Sequence, residues 1–314
     1  MRLCLMIEGQ EDVTWRQWCD LAKACEDAGL EGLFRSDHYL SVGGHSERGS
    51  LDAWTTLAGL AARTERIRLG TMVSPTTFRH PSVLAKSVVT VDHISGGRIE
   101  LGIGAGWHEA EHRAYGFSFP PTSVRMGVLE EQIEIVHRSW GDPFDFDGSH
   151  FRIEELDALP KPLQRPHPNL IVGGSGNRRS AALAARWADE YNTVFASPEE
   201  CRRRRQRVAD AWEAAGRDPG SLTFSLMTGF VVGKTDAGVK AGARAVMEKS
   251  DASGSEEEWL AALREEWVVG TVEEAVDRLG MLEEAGVDRV MLQHLAHEDI
   301  DMVQLLGAEI AVKL

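Results

Sequence analysis

Short apolar runs and helical segments alternate along nearly all of this 314-residue chain, and that alternation limits the fold more than any other feature. Runs at 2–7, 32–35, 66–72, 98–104, 169–172, 189–195, 222–232 and 288–292 read as buried strands, each leading into residues with helical spacing. After a first helix marked by Trp15, Trp18, Leu21 and Ala22, helices are predicted over 51–64, 80–94, 124–140, 177–187, 198–215 and 272–285, with a last one near 298–311. Successive strand–helix units imply parallel strands with crossover helices, and eight of them point to a closed (β/α)8 barrel in the α/β class. An open doubly wound sheet would carry GxGxxG after an early strand, whereas GIGAG (102–106) and GGSG (173–176) have neither the spacing nor the position. EDAGLEGLF (26–34) and EEAGVDRVML (283–292) repeat one local logic of helix, glycine stop, apolar residue and strand.

One barrel over 1–314 is therefore expected, with two interruptions. Residues 142–168 hold Phe144, Phe146, an Asp147-Gly148 turn, Phe151 and Ile153, the pattern of a small hairpin inserted before strand five. The polar stretch KSDASGSEEE (249–258) reads as a mobile loop, and extra helical structure is expected near strand seven. A net charge of −15 and a pI of about 5.2 argue against a nucleic-acid or anionic-membrane partner. No apolar run approaches the ~18 residues of a membrane span. The first strand begins at Arg2 and meets Glu8 at once, which leaves no room for a signal peptide. Cys4, Cys19, Cys25 and Cys201 form no CxxC or metal-ligand spacing and read as thiols of a cytoplasmic protein. Arg outnumbers Lys roughly four to one, as in chains from GC-rich genomes.

In a barrel of this kind the chemistry lies where strands end and helices begin. Those junctions present Glu8-Gly9-Gln10, Ser36-Asp37-His38-Tyr39, Thr71-Met72-Val73-Ser74, Gly104-Ala105-Gly106-Trp107-His108 and Gly173-Gly174-Ser175-Gly176. Asp37 beside His38 is either an Asx-type turn or an acid that orients an acid–base imidazole. VGGSGNRRS (172–180) carries a strand end, glycines, a helix start near Asn177 and two arginines, the makings of a phosphate site. HEAEH (108–112) satisfies the zinc-protease pattern through His108, Glu109 and His112, although it follows a barrel strand directly and lacks a third ligand nearby. CRRRRQR (201–207) follows a Ser-Pro-Glu-Glu helix start and reads as a solvated, acid-paired face.

Taken together, SDH after strand two, RIRLGTMVSPTTFRHP, ISGGRIELGIGAGWHEAEHRAYG, FDGSHFRI…LPKPLQRPHP and LIVGGSGNRRSAALAARWADEYN resemble the luciferase-like monooxygenase superfamily over most of residues 1–195. The closest resemblance is to its branch using the deazaflavin coenzyme F420, with the FMN-using branch as the alternative. The resemblance implies hydride transfer to or from a small organic substrate, or, with FMN, monooxygenation using reduced flavin and O2. It implies His38 as the catalytic acid–base residue with Asp37 as its partner, and Thr71, Met72 and Val73 as a bulge behind the cofactor ring, with a non-proline cis bond between Met72 and Val73. Gly104, Gly106, Trp107 and His108 would border the cofactor, Gly173, Gly174, Ser175, Gly176 and Asn177 would take its phosphate, and Glu8, Tyr39, Trp107 and His108 would line the substrate pocket. It further implies no metal, a homodimer and a separate cofactor reductase. Some deazaflavin dehydrogenases of this branch place an acid where Trp107 stands here, so a sugar-phosphate substrate is not implied. A zinc hydrolase through HEAEH and a non-catalytic flavin-binding protein are the remaining alternatives.

Overall fold

The computed structural model describes all 314 residues. Eight parallel strands close on themselves: β1 (Arg2–Ile7), β2 (Gly32–Arg35), β3 (Arg68–Thr71), β4 (Ile99–Gly104), β5 (Asn169–Gly173), β6 (Glu190–Val194), β7 (Thr223–Gly233) and β8 (Arg289–Gln293). Each pairs with the next in sequence, and β8 pairs back onto β1 through Arg2–Arg289 to Met6–Gln293, so the eight strands close and the (β/α)8 reading holds. The two repeated phrases behave alike, since Gly29 (φ 68°) follows the helix Trp15–Asp27 and Gly286 (φ 87°) follows Val272–Glu284. Left-handed backbone there is what glycine supplies at no steric penalty.

The barrel interior has three tiers. At the strand starts, Arg289 bridges Glu100 and Glu190, all three about 1% exposed. Above them a small apolar layer packs Met6, Phe34, Met72, Ile171, Met227 and Met291. The top tier, at the strand ends, is polar and open. A separate cluster of 59 buried residues fills the space between the strands and the surrounding helices.

Strand three ends at Thr71. After Thr71 the Met72–Val73 peptide is cis, as the resemblance implied, and Ser74–Pro75 rejoin the sheet against Ile103 and Gly104. Gly102 sits beneath this break with no room for a side chain, because a Cβ would collide with the Thr71 carbonyl. Gly102→Ala is expected to destabilise the barrel by about 1–3 kcal/mol, measurable by chemical denaturation.

The hairpin within 142–168 is present as Phe144–Asp147 antiparallel to Arg152–Leu156, its turn held by three amides that donate to Glu131. Two segments differ from the sequence reading. The helix Asp236–Lys249 runs up to the polar stretch and another, Glu256–Leu263, begins inside it, so only 250–255 is irregular. Glu256, Glu257 and Glu258 form that helix's first turn, where its dipole favours negative charge, and Ser255 and Glu258 make a reciprocal cap. Val268–Thr271 is an additional strand, paired with the outer half of the eleven-residue β7.

Candidate functional site

The strand ends enclose a cavity of about 1030 Å3. Of the expected residues, Glu8, His38, Met72, Val73, Gly104, Gly106, Trp107, Gly173 and Gly174 line it, whereas Asp37, Tyr39, Thr71, His108, Ser175, Gly176 and Asn177 do not.

His38 is the most constrained polar group on the rim. Its Nδ1 lies 2.9 Å from Oε2 of Glu111, on the short helix Glu109–Tyr115 that follows β4. The other oxygen, Oε1, accepts from the backbone amides of Tyr39 and of Leu40, the latter at 3.1 Å. Glu111 is fully buried, which by itself would raise its pKa, but the His38 hydrogen bond and the two amides outweigh burial and hold it below the usual glutamate value. Burial would lower the His38 pKa, yet the bond to Glu111 and its charge reverse the sign and hold it above that of a free imidazole. An ionised Glu111 keeps the proton on Nδ1 in both charge states. The nitrogen that gains and loses a proton is therefore Nε2, which no protein group engages.

Asp37 is not the partner of this imidazole. It turns away from the cavity, where its Oδ2 accepts from Ser74 Oγ at 2.6 Å and Arg79 Nη1 at 2.5 Å, and its Oδ1 from Arg79 Nη2 at 3.2 Å. Arg79 also donates to Asp52 and Tyr39, and the Tyr39 hydroxyl donates to Asp52 at 2.9 Å. The physical reason is charge: a buried carboxylate is best compensated by a guanidinium, which offers several donors in one plane. Tyr39 is likewise corrected from pocket residue to support, stacking on Phe78 at 5.2 Å and burying its hydroxyl, which raises its pKa. Asp37, Arg79 and Ser74 thus form the floor on which the His38 loop rests.

Val73, exposed to the cavity by the break after β3, makes one wall, and glycines face it. A Cβ on Gly104 would stand 2.9 Å from Val73 Cγ2 and one on Gly173 would stand 3.3 Å from Cγ1. Thr71 lies behind this wall, donating to the Gly102 carbonyl at 2.8 Å. Trp107 stays 61% exposed while stacking on His108, with 5.2 Å between centroids and 13° between planes. His108 stands edge-on to His38 at 5.9 Å, its pKa lowered by burial and by the neighbouring imidazoles.

The glycine-rich junction after β5 is partly self-satisfied. Asn177 Oδ1 accepts from the amides of Arg179 at 3.1 Å and Ser180 at 3.0 Å, Gly176 donates to the Tyr191 hydroxyl at 2.7 Å, and Gly174 donates to the Asn192 carbonyl at 2.9 Å. The amides of Ser175, Asn177 and Arg178 have no acceptor within the chain. Arg179 is engaged by Glu130 at 2.6 Å, while Arg178 has no acidic partner.

HEAEH does not assemble as a zinc-protease motif. Glu109 faces solvent, and both ring nitrogens of His112 are occupied, Nδ1 by the His108 carbonyl at 2.8 Å and Nε2 by Thr77 Oγ1 at 2.6 Å. The set that comes together is instead His38, His108 and Glu111, whose ligating atoms lie within 4.8 Å of one another. A cation there would have to displace the His38–Glu111 bond. Glu111 escaped the sequence reading, although it lies on the helix face shared by His108 and His112, three and four residues along from the first histidine.

The luciferase-like monooxygenase family model matches residues 4–289. A relative from Nakamurella multipartita, an F420-dependent glucose-6-phosphate dehydrogenase, is 34% identical over 180 residues, 56% of this chain and 51% of that one. Another from Pseudomonas putida, an FMNH(2)-dependent dimethylsulfone monooxygenase, is 32% identical over 174 residues, 55% of this chain and 47% of that one. The chain spans about half the length of the curated relatives it matches. Among solved structures, an F420-dependent secondary alcohol dehydrogenase in complex with an F420-acetone adduct superimposes with a TM-score of 0.83 at 18% identity, covering 100% of this chain and 99% of that one. At that identity the likeness is one of fold.

Proposed function

The chain belongs to the luciferase-like monooxygenase family, and on that premise we propose that it is an oxidoreductase moving hydride between coenzyme F420 and a small organic molecule. The observation that carries this reading is the His38–Glu111 pair, with its free Nε2 at a cavity large enough for a tricyclic ring and a substrate together. Val73 and the side-chain-free surface of Gly104 and Gly173 fit the flat face of such a ring, and Trp107 is an exposed aromatic available beside it. The unpaired amides of Ser175, Asn177 and Arg178, with the Arg178 guanidinium, suit the cofactor's phosphate.

When bound, the deazaflavin supplies the hydride carrier. Everything else falls to the protein: it orients the substrate and limits water, and His38 Nε2 takes the hydroxyl proton when an alcohol is oxidised or returns it when a carbonyl is reduced. Glu111 accepts from Nδ1 throughout and stabilises the imidazolium that forms. With FMN in the same bed, the reading would change to monooxygenation, as named for the Pseudomonas putida relative. Equilibrium titration with F420 and with FMN separates the two, and FMN binding without F420 binding would reject the first. His38→Ala is expected to lower turnover by about 10²–10⁴-fold while changing cofactor affinity far less. Equal losses in both would remove His38 from the chemistry.

The helix Pro81–Ser95 exposes Val83 and Ile94 beside Leu159 and Leu163, an apolar face that fits the proposed homodimer. Light scattering would give the mass. A separate reductase would regenerate the cofactor. No helix is long and apolar enough to cross a membrane, and four free thiols accord with a cytoplasmic protein.

A further inference from the structure

The cavity is chemically lopsided. The wall built by Val73, Gly104 and Gly173 is neutral, whereas the rest of the lining includes Glu8, Glu11, Asp12, Glu47 and Glu298 against Arg48 and Lys249. Both cations are already neutralised inside the protein: Arg48 Nη1 meets Glu11 at 2.7 Å, and Lys249 pairs with Glu298. Arg48 is further committed through Nη2, which donates to the Lys249 carbonyl at 2.8 Å. Glu8, at the end of β1, is held in place by amide donors from Gln10 at 2.7 Å and from Gln293, and it has no cationic partner. Asp12 has none either, and Glu47 has only His45 at 3.6 Å. Val42, Phe195, Val246 and Leu295 supply apolar surface between these groups.

An anion entering here would find no lysine or arginine without an acidic partner and would face carboxylates already placed for other reasons. A cation would find negative charge without a cationic partner at Glu8, which stands close enough to His38 to raise its pKa. Resting on the hydride-transfer reading above, we propose that the substrate of this site carries a positive charge: a small alcohol or carbonyl compound that also bears an alkylammonium group on a short apolar body, its cationic end toward Glu8. The same lining excludes phosphorylated and carboxylated substrates, in contrast to the phosphorylated sugar named for the Nakamurella relative.

Three probes on one ring compare the charges: cyclohexylammonium, cyclohexanol and cyclohexanecarboxylate, titrated calorimetrically into the protein with and without added F420. The ammonium is expected to bind about tenfold or more tightly than the alcohol, with the carboxylate weakest. Glu8→Gln should remove most of the ammonium's advantage while leaving the alcohol within about twofold. Asp12→Asn gives a second reading that spares the fold, because Asn tolerates the left-handed backbone (φ 64°) that Asp12 adopts. A carboxylate that binds as well as the ammonium, an ammonium no better than the alcohol, or no binding by any probe overturns the proposal. Cofactor titration separates this from the wider reading. If neither F420 nor FMN binds, the oxidoreductase reading fails, whatever order the probes show.

Discussion

Glu111→Gln is expected to lower turnover by about 10²-fold or more while leaving cofactor affinity within about threefold. The substitution keeps the size of the side chain and removes the charge that holds His38 above the ordinary imidazole range. Burial then acts on His38 without opposition, so its pKa falls. The limb of the pH–rate profile that reports His38 should move toward lower pH, and this readout distinguishes a positioning role from mere support. A uniform loss of rate at every pH, with the limb unmoved, would mean that Glu111 only props up the loop through the Tyr39 and Leu40 amides. Glu109→Gln, on the solvent side of the same helix, is the control and should leave the profile unaltered.

The barrel was legible because its signals are local. Apolar runs and glycine stops lie within a few residues of one another, and the strand break after Thr71 sits inside a contiguous motif. The partners in the site are different in kind. His38 meets a carboxylate 73 residues away and Asp37 meets a guanidinium 42 residues away, separations at which nothing in the sequence announces a contact. Adjacency in sequence favoured Asp37 for His38, but neighbouring side chains at a turn diverge, and the half-buried Arg79 was the stronger claim on that acid. The additional strand Val268–Thr271 was hidden for a related reason. Four residues that pair alongside the outer end of a long strand carry no periodicity, and Thr271 also caps the next helix.

The lower tier of the barrel shows how the polar rim above it is supported. Charges at the strand starts fix the interior by ion pairing, the methionine layer separates them from the cavity, and the titrating group sits at the opposite end. In barrels of this type the two ends divide stability from chemistry. Here the division is visible in the charges themselves, because the lower carboxylates are bound to arginines while Glu8 above is left without one.

That lower network carries the largest expected effect on stability. Arg289 donates to Glu100 at 2.7 and 3.2 Å and to Glu190 at 3.0 Å, with Glu31 at 2.9 Å from its Nε. Burial alone would raise the Glu100 pKa, but Arg289 and Arg68 overcome it and lower it to about 2. Glu190 shares the same guanidinium, and there burial prevails, helped by the charge of Glu100, so its pKa is pushed up. Arg289→Met retains a stem over Phe34, leaves Glu190 in a dry interior with no cation and leaves Glu100 with Arg68 alone, which should reduce stability by about 3–5 kcal/mol and the melting midpoint by roughly 5–15 °C. The sign with pH follows from Glu100. In the native protein its lowered pKa contributes stability that is complete above about pH 4.5 and is lost as pH falls toward 2. In the variant Glu100 keeps only Arg68, and Glu190, already raised by burial, loses its one cation and rises further, so the deficit is greatest near neutral pH and shrinks as acid neutralises the buried carboxylates. Denaturant titrations at pH 7 and pH 5 read the difference, and adding Glu100→Gln and Glu190→Gln to Arg289→Met should restore much of the loss. A deficit equal at both pH values and unrelieved by those substitutions would make Arg289 a packing element, its charge incidental to the barrel's stability.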